Sequence, residues 1–328
     1  MRVIHWLTIA AGVVAIAALL WYMVATPGRS WASALPPLSD EDRALRERLR
    51  IHVGTIASQE HNVWTRDRLE AAATHLEMSL GEAGYEVQRE EYRSGGAIVR
   101  NVLAELKGAA RGDEIIVVGA HYDSVRGAPG ANDNGSGVAA VLELARTLRG
   151  WKPMRTWRFA LFVNEEPPFF YSGEMGSQVH ARHARKRNER IVAMFSLETI
   201  GYYSDEPKSQ HYPFPLSVFY PDRGDFLAFV ANLGSRALLH HTIAAFRAQG
   251  EFPSEGIAAP ALIPGVDWSD QRSFWEQDYR ALMVTDTALY RYPYYHTPQD
   301  TPDKVDYERL ARVTRALERT FRTLDATL

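Results

Sequence analysis

The spacing of apolar and polar positions changes several times along this chain, and each change marks an element. The first stretch has no period. From Val3 to Gly28 there is no Asp, Glu, Lys or Arg, and its core reads IHWLTIAAGVVAIAALLWYMVAT. A bilayer span needs about 20 apolar residues, and this run reaches that length. Trp6, Trp21 and Tyr22 lie near its ends, where interfacial aromatics sit. A cleaved signal peptide is the competing reading, since Ala32-Ser33-Ala34 offers a small-residue site. That site stands well past a run longer than a signal core, which favours an uncleaved anchor. The pattern therefore predicts a transmembrane anchor or signal segment over 1–27 and a Pro-, Ser- and Ala-rich linker over 28–39. A catalytic domain over 40–328 follows, placed outside the cytoplasm (periplasmic or extracellular), and secreted if the segment is cut.

Helical and strand periods then alternate. Ser39 followed by Asp40, Glu41 and Asp42 supplies a cap and first-turn acids for one helix. Leu69, Ala73, Leu76 and Leu80 share one face of a second, Arg66 to Gly81. Strands are predicted at Tyr85–Tyr92, Ile98–Leu106 and Glu114–Ala120, the last an unbroken apolar run suited to burial on both faces. Gly135–Leu148 reads as a helix, Trp157–Val163 as a strand, Glu174–Lys186 as a helix and Ile191–Leu197 as a strand. This alternation predicts an α/β fold: a three-layer αβα sandwich around a mixed, mostly parallel sheet. Residues 202–265 break the rhythm and read as an insertion, with a helix at Arg223–Leu239 and a short strand at His241–Phe246. A short helix at Ser269–Glu276, a buried strand at Ala281–Thr285 and a helix at Tyr307–Leu324 close the chain.

Composition narrows the chemistry. The 328 residues carry a net charge of −3, so nothing favours nucleic acid as a partner. There is no cysteine, which removes disulfides, thiol nucleophiles and thiolate ligands. No GxSxG elbow, HExxH or phosphate loop is present.

The chemistry gathers at predicted strand ends, where open α/β sheets collect ligands. His121 lies just past IIVVGA, Glu165 and Glu166 past FALFVN, and Glu198 ends IVAMFSL, while His296 follows ALMVT by a loop. His121 and Asp123 are two apart on an extended segment, so both side chains aim the same way. Asp123 then suits the carboxylate that orients a ligating imidazole. Asp133 opens a helix from a Gly- and Asn-rich turn and could bridge two cations. Adjacent Glu165 and Glu166 repel unless a cation is present, and one of them can handle protons while the other ligates. Each residue alone has a blander account: a buried histidine, a turn acid, a solvated pair. Two imidazoles with several carboxylates are a typical ligand set for zinc. His180 and His183 read instead as part of a solvated basic helix face, and His52, His61 and His75 join no constellation.

In this order and spacing, the set resembles the M28 zinc metallopeptidases, over about residues 95–328. SDQRSFWEQDYRALMVTDTALYRYPYYHTPQDTPDKVDY resembles the family's closing strand, histidine loop and last helix. The resemblance implies a zinc exopeptidase-like fold and an aminopeptidase acting on peptide substrates with two zinc ions. It implies His121 at one zinc, Glu166 with His296 at the other, Asp133 between them, Glu165 as general base and Asp123 orienting His121. Glu198 would complete the first site, where the family usually has Asp. Gln271 stands where a histidine is common, and the PPFFYSGE loop is long. Tyr202 and Tyr203 would wall the pocket. A glutaminyl cyclase-like aminoacyltransferase with one zinc, held by Asp133, Glu166 and His296, is the alternative; a non-catalytic relative comes third.

Overall fold

The computed structural model describes residues 2–249 and 251–328, with side chains in the first helix described at Trp6 and from Ile9 onward. The anchor expectation thus falls partly outside the described residues. That first helix, α1, is Arg2–Val24. Among the described residues no helix is long and apolar enough to cross a membrane. The contiguous run from Ile9 to Val24 is shorter than a span.

The segment expected to be a loose tether lies against the domain. Arg247 donates to the Gly28 carbonyl, Ser254 N donates to Ser30 Oγ, and Arg312 donates to the Pro36 carbonyl. α2 (Asp40–Ile56) begins with Ser39 accepting from Asp42 N, and buries Leu45, Leu49, Val53 and Ile56. α3 (Arg66–Glu82) follows.

Among the described residues, eight strands form one sheet. They are β1 (Gln88–Ser94), β2 (Ala97–Leu106), β3 (Arg111–His121), β4 (Arg155–Phe162), β5 (Arg190–Glu198), β6 (Leu227–Ala231), β7 (Ser254–Ala258) and β8 (Ala281–Thr285). Their order is β1-β2-β4-β3-β5-β8-β6-β7. The central four, β4, β3, β5 and β8, run parallel, so their carboxyl ends share one edge. β2 pairs with β4, and β6 with β8, in antiparallel fashion.

Helices cover both faces, as the continuous apolar runs require. One face carries α2, α3, α4 (Gly137–Leu148), α6 (Arg236–Ala248) and α9 (Tyr307–Thr327) over Ile116, Val118, Phe159 and Phe195. The other carries α5 (Gly176–Lys186) and the short α7 (Gln271–Trp275) over Ile115, Val117 and Phe162. Consecutive residues of β3 thus serve opposite layers, by the two-residue period of a strand. α8 (Ala288–Arg291) follows β8.

The insertion differs from its sequence reading. It contributes two strands, β6 and β7, with α6 between them, where a helix and then a strand were expected. Phe226–Ala231 is an unbroken apolar run, which periodicity alone cannot assign. Strand pairing on both sides buries every residue of β6 and decides the matter. His240 and His241 lie inside α6.

Candidate metal centre

Every candidate side chain arrives from a carboxyl end of the central strands or from a loop beside it. β3 ends at His121, β5 ends at Glu198, and Glu165 and Glu166 follow β4 by a short turn. β3 lies between β4 and β5, so the connections leaving its end diverge and open a crevice there. Asp133 sits in the tight turn Ala131–Ser136 that feeds α4.

That turn is fixed from three directions. The Asp300 carboxylate accepts from Asn132 N at 2.8 Å and from Asp133 N at 3.1 Å. Asn132 donates to Asp286 and accepts from Gly201 N. Asn134 accepts from Thr199 N and donates to the Leu197 carbonyl. Gly137 then lets α4 approach β5, for a Cβ there would lie 2.4 Å from Asn134 Oδ1 and from the Leu197 carbonyl oxygen. The sequence reading passed over Asn132, Asn134, Asp286 and Asp300. Their signal was a cluster of short polar residues around buried strand ends.

The geometry brings two triads together. His121, Asp133 and Glu198 each offer one ligand atom within a common 4.8 Å, as do Asp133, Glu166 and His296. His121 Nε2 lies 3.3 Å from both Asp133 Oδ1 and Glu198 Oε2. His296 Nε2 lies 3.0 Å from Asp133 Oδ2 and 3.4 Å from Glu166 Oε1. Asp133 therefore faces one triad with each oxygen. His296 holds a left-handed backbone (φ 57°) and stacks on the Tyr295 ring at 3.9 Å.

The longer arm of Glu198 is steadied by Ser269, whose Oγ donates to Oε2 at 2.6 Å. Asp123 does something the sequence reading did not foresee. Its two carboxylate oxygens accept the backbone N–H groups of Glu165 and Glu166, at 3.0 and 3.2 Å. His121 Nδ1 meets the Asp123 carbonyl oxygen at 3.1 Å, whereas the carboxylate stands off at 3.7 Å. The Asp123 carboxylate thus sets the Glu165–Glu166 loop, and its main chain sets the imidazole.

Glu165 belongs to neither triad, yet it is buried and its Oε2 lies 4.0 Å from His121 Nε2. Burial raises its carboxyl well above the ordinary range; His121 opposes this, while Glu166, Glu198 and Asp270 add to it. Burial and Asp133 push Glu166 up to about 7 against the pull of His296. Burial works to lower His296, but Asp133 and Glu166 outweigh it and push the imidazole up to about 11.

Cations fit this donor set. His121 Nε2, Asp133 Oδ1 and Glu166 Oε1 are buried without a hydrogen-bond partner. An orphaned buried polar atom is costly, and three gathered here from different segments point to bound cations. Imidazole nitrogens with carboxylate oxygens suit zinc, and a bound cation inverts the carboxyl shifts by supplying the missing positive charge.

The remaining expectations resolve locally. Gln271 turns away and donates to the Val266 carbonyl. Tyr171 of the long loop donates to Asp267 and lies under the Arg272 guanidinium at 3.6 Å. Tyr202 packs on Tyr292, and Tyr203 on Phe252. Neither lines the adjoining pocket, a cavity of about 110 Å³ bordered by Glu198, Leu216, Phe229, Ile263, Met283 and Tyr295. His180 is not solvated: it is fully buried, with Nδ1 on Glu90 at 2.9 Å and Nε2 facing Arg158 at 3.2 Å. His183 holds the other Glu90 oxygen, and His52 bridges His75 and Glu143.

The chain is similar to known proteins in sequence and in fold. The family description "Peptidase family M28" matches residues 101–320. The protein YfbL of Escherichia coli (strain K12) is 36% identical over 294 residues, covering 86% of this chain and 89% of that protein. The LapA aminopeptidase of Legionella pneumophila superposes with a TM-score of 0.68 at 19% identity, covering 89% of this chain and 77% of LapA. Fimbriiglobus ruber glutaminyl cyclase superposes at 0.65 and 18% identity, covering 91% and 99%. The two superpositions speak to the fold alone.

Proposed function

This chain belongs to peptidase family M28 and brings together two triads of metal-binding side chains, and from that premise we propose that it is an aminopeptidase holding two zinc ions. The observation that carries the reading is the pair of triads sharing Asp133, with Glu165 buried beside both and committed to neither. His121, Asp133 and Glu198 would hold one ion, and Asp133, Glu166 and His296 the other. Zinc supplies Lewis acidity to a scissile carbonyl and makes water more acidic.

The chain's own residues do the rest. Glu165 takes a proton from the attacking water on a carboxylate oxygen and returns it to the leaving amine nitrogen. Asp123 keeps the Glu165 main chain in place, and Ser269 keeps Glu198 in place. The apolar pocket beside Glu198 and Tyr295 accommodates an apolar N-terminal side chain and excludes water around the reacting bond.

The test is hydrolysis of aminoacyl anilides by the zinc-loaded full chain. Glu165→Gln should retain zinc and lose roughly 10²–10⁴-fold in kcat. Full activity in that variant would sink the mechanism. One zinc per chain, with pyroglutamate formed from Gln-peptides and no cleavage, would favour the cyclase reading instead.

We further propose that α1 anchors the domain to a membrane, with the domain outside the cytoplasm. The support is a row of large apolar side chains that are exposed on α1: Val13, Val14, Ile16, Leu19, Trp21 and Tyr22. Removing residues 1–27 should move the protein from the membrane to the soluble fraction; unchanged fractionation would refute the anchor.

A further inference from the structure

The pocket beside the metal centre opens between two uncharged runs from different parts of the chain. One is Tyr-Pro-Phe-Pro-Leu-Ser-Val-Phe-Tyr at 212–220, and the other Gly-Ile-Ala-Ala-Pro-Ala-Leu-Ile-Pro-Gly-Val at 256–266. They meet at the cavity, which Leu216 and Ile263 both line. The neighbours of these two residues point outward. Phe214 is 90% exposed, Leu262 84% and Val218 75%, and Phe219 and Trp268 are exposed as well. Single exposed apolar residues need no explanation, but several gathered on one rim do.

The rim is continuous with α1. Met23 and Val24 pack in one apolar cluster with Leu216, Tyr212, Tyr220 and Ile263. Tyr220 donates to the Gly256 carbonyl at 2.8 Å, and Thr26 packs against Gly256. The end of α1 is held in place: Arg236 donates to the Tyr22 carbonyl at 2.8 Å and lies over its ring at 4.0 Å. Trp21 and Tyr22 at the end of an apolar helix mark the interface level, and the rim stands beside them.

We propose that this rim is a lipid-contact surface, seated in the leaflet that α1 leaves, so that the pocket opens at the bilayer interface. The proposal rests on the reading of α1 as an anchor. A bilayer suits the rim better than a second copy or a peptide does. Phe214, Val218, Phe219 and Leu262 lie within the two uncharged runs, and they continue an apolar helix surface. Amphipathic elements of this kind bury their apolar tips at the headgroup boundary. A peptide whose apolar N-terminal residue already partitions into that boundary would meet the pocket with its side chain facing inward.

The chain has no cysteine, so one introduced cysteine reports alone. Spin labels at Phe214→Cys, Val218→Cys and Leu262→Cys would be read in the full chain, in nanodiscs of phosphatidylcholine and phosphatidylglycerol. Val14→Cys on α1 serves as the anchor reference, and Ile98→Cys on β2 as the water reference, both sites being exposed. Collision with oxygen relative to an aqueous nickel chelate should be severalfold higher at the three rim sites and at Val14 than at Ile98. Rim labels that match Ile98 while Val14 stays in lipid would overturn the proposal and leave the anchor standing. A Val14 label in water would overturn the anchor and the rim together. Spin–spin broadening between rim labels would show a second copy on this face and would also overturn it.

Discussion

Asp123→Asn separates two ways in which this side chain could serve the centre. Its carboxylate oxygens accept from Glu165 N at 3.0 Å and Glu166 N at 3.2 Å, and its distance to His121 Nδ1 is 3.7 Å. Asparagine keeps one acceptor and turns an NH₂ toward the other N–H. One charge-assisted bond is lost, worth about 1.5–3 kcal/mol. If that loss falls wholly on the position of Glu165 in the transition state, kcat drops by about 10- to 150-fold, at 1.36 kcal/mol per decade. Zinc should stay, because His121 leans on the Asp123 main-chain oxygen, which the substitution leaves in place. Steady-state kinetics on leucyl p-nitroanilide at saturating zinc, with zinc content by atomic emission, reads both quantities. A kcat within a few-fold of wild type at full zinc occupancy would refute the loop-positioning role. Loss of zinc with kcat per zinc unchanged would show that the carboxylate works through His121 instead.

Three further outcomes follow from the same contacts. Ser269→Ala removes the 2.6 Å bond to Glu198 and should weaken zinc at the His121 site about 10-fold or more, measured by chelator competition, since outer contacts of a ligand carry that much. Gly137→Ala puts a Cβ 2.4 Å from two oxygens and should cost about 1–3 kcal/mol in denaturant unfolding, together with zinc affinity, because the same contact fixes the Asp133 turn. Glu143 is buried, which raises its pKa, but His52, Arg146 and Arg48 outweigh that and hold it down to about 2 from 4.5. Its folded pKa is depressed, so its contribution is complete above about pH 4.5 and is lost as pH falls through about 2. The Glu143→Gln variant should thus lie about 3 kcal/mol below wild type at pH 6 and approach it near pH 2. A gap that does not change with pH would contradict this.

Much of the site was legible because its chemistry sits where period changes to turn. His121, Glu165, Glu166 and Glu198 each end or follow an apolar run, and burial in a parallel sheet forces the strand ends to one edge. What sequence could not supply was the partner of each side chain. Nothing local says that Asp300, 167 residues away, caps the Asp133 turn, or that Glu90 of β1 sits between two histidines of α5.

The chain by itself determined the alternation of elements, the four central strands and the donor types, because each depends on period and residue chemistry within a short window. Tertiary structure decided what depends on distant neighbours. It made Leu227–Ala231 into strand β6, since an unpatterned apolar run takes whichever form has partners on both sides. It packed residues of the 28–39 linker against the domain, through Arg247 on Gly28, Ser254 on Ser30 and Arg312 on Pro36. It gave the Asp123 carboxylate to the loop rather than the imidazole, a difference of under an ångström that only packing fixes.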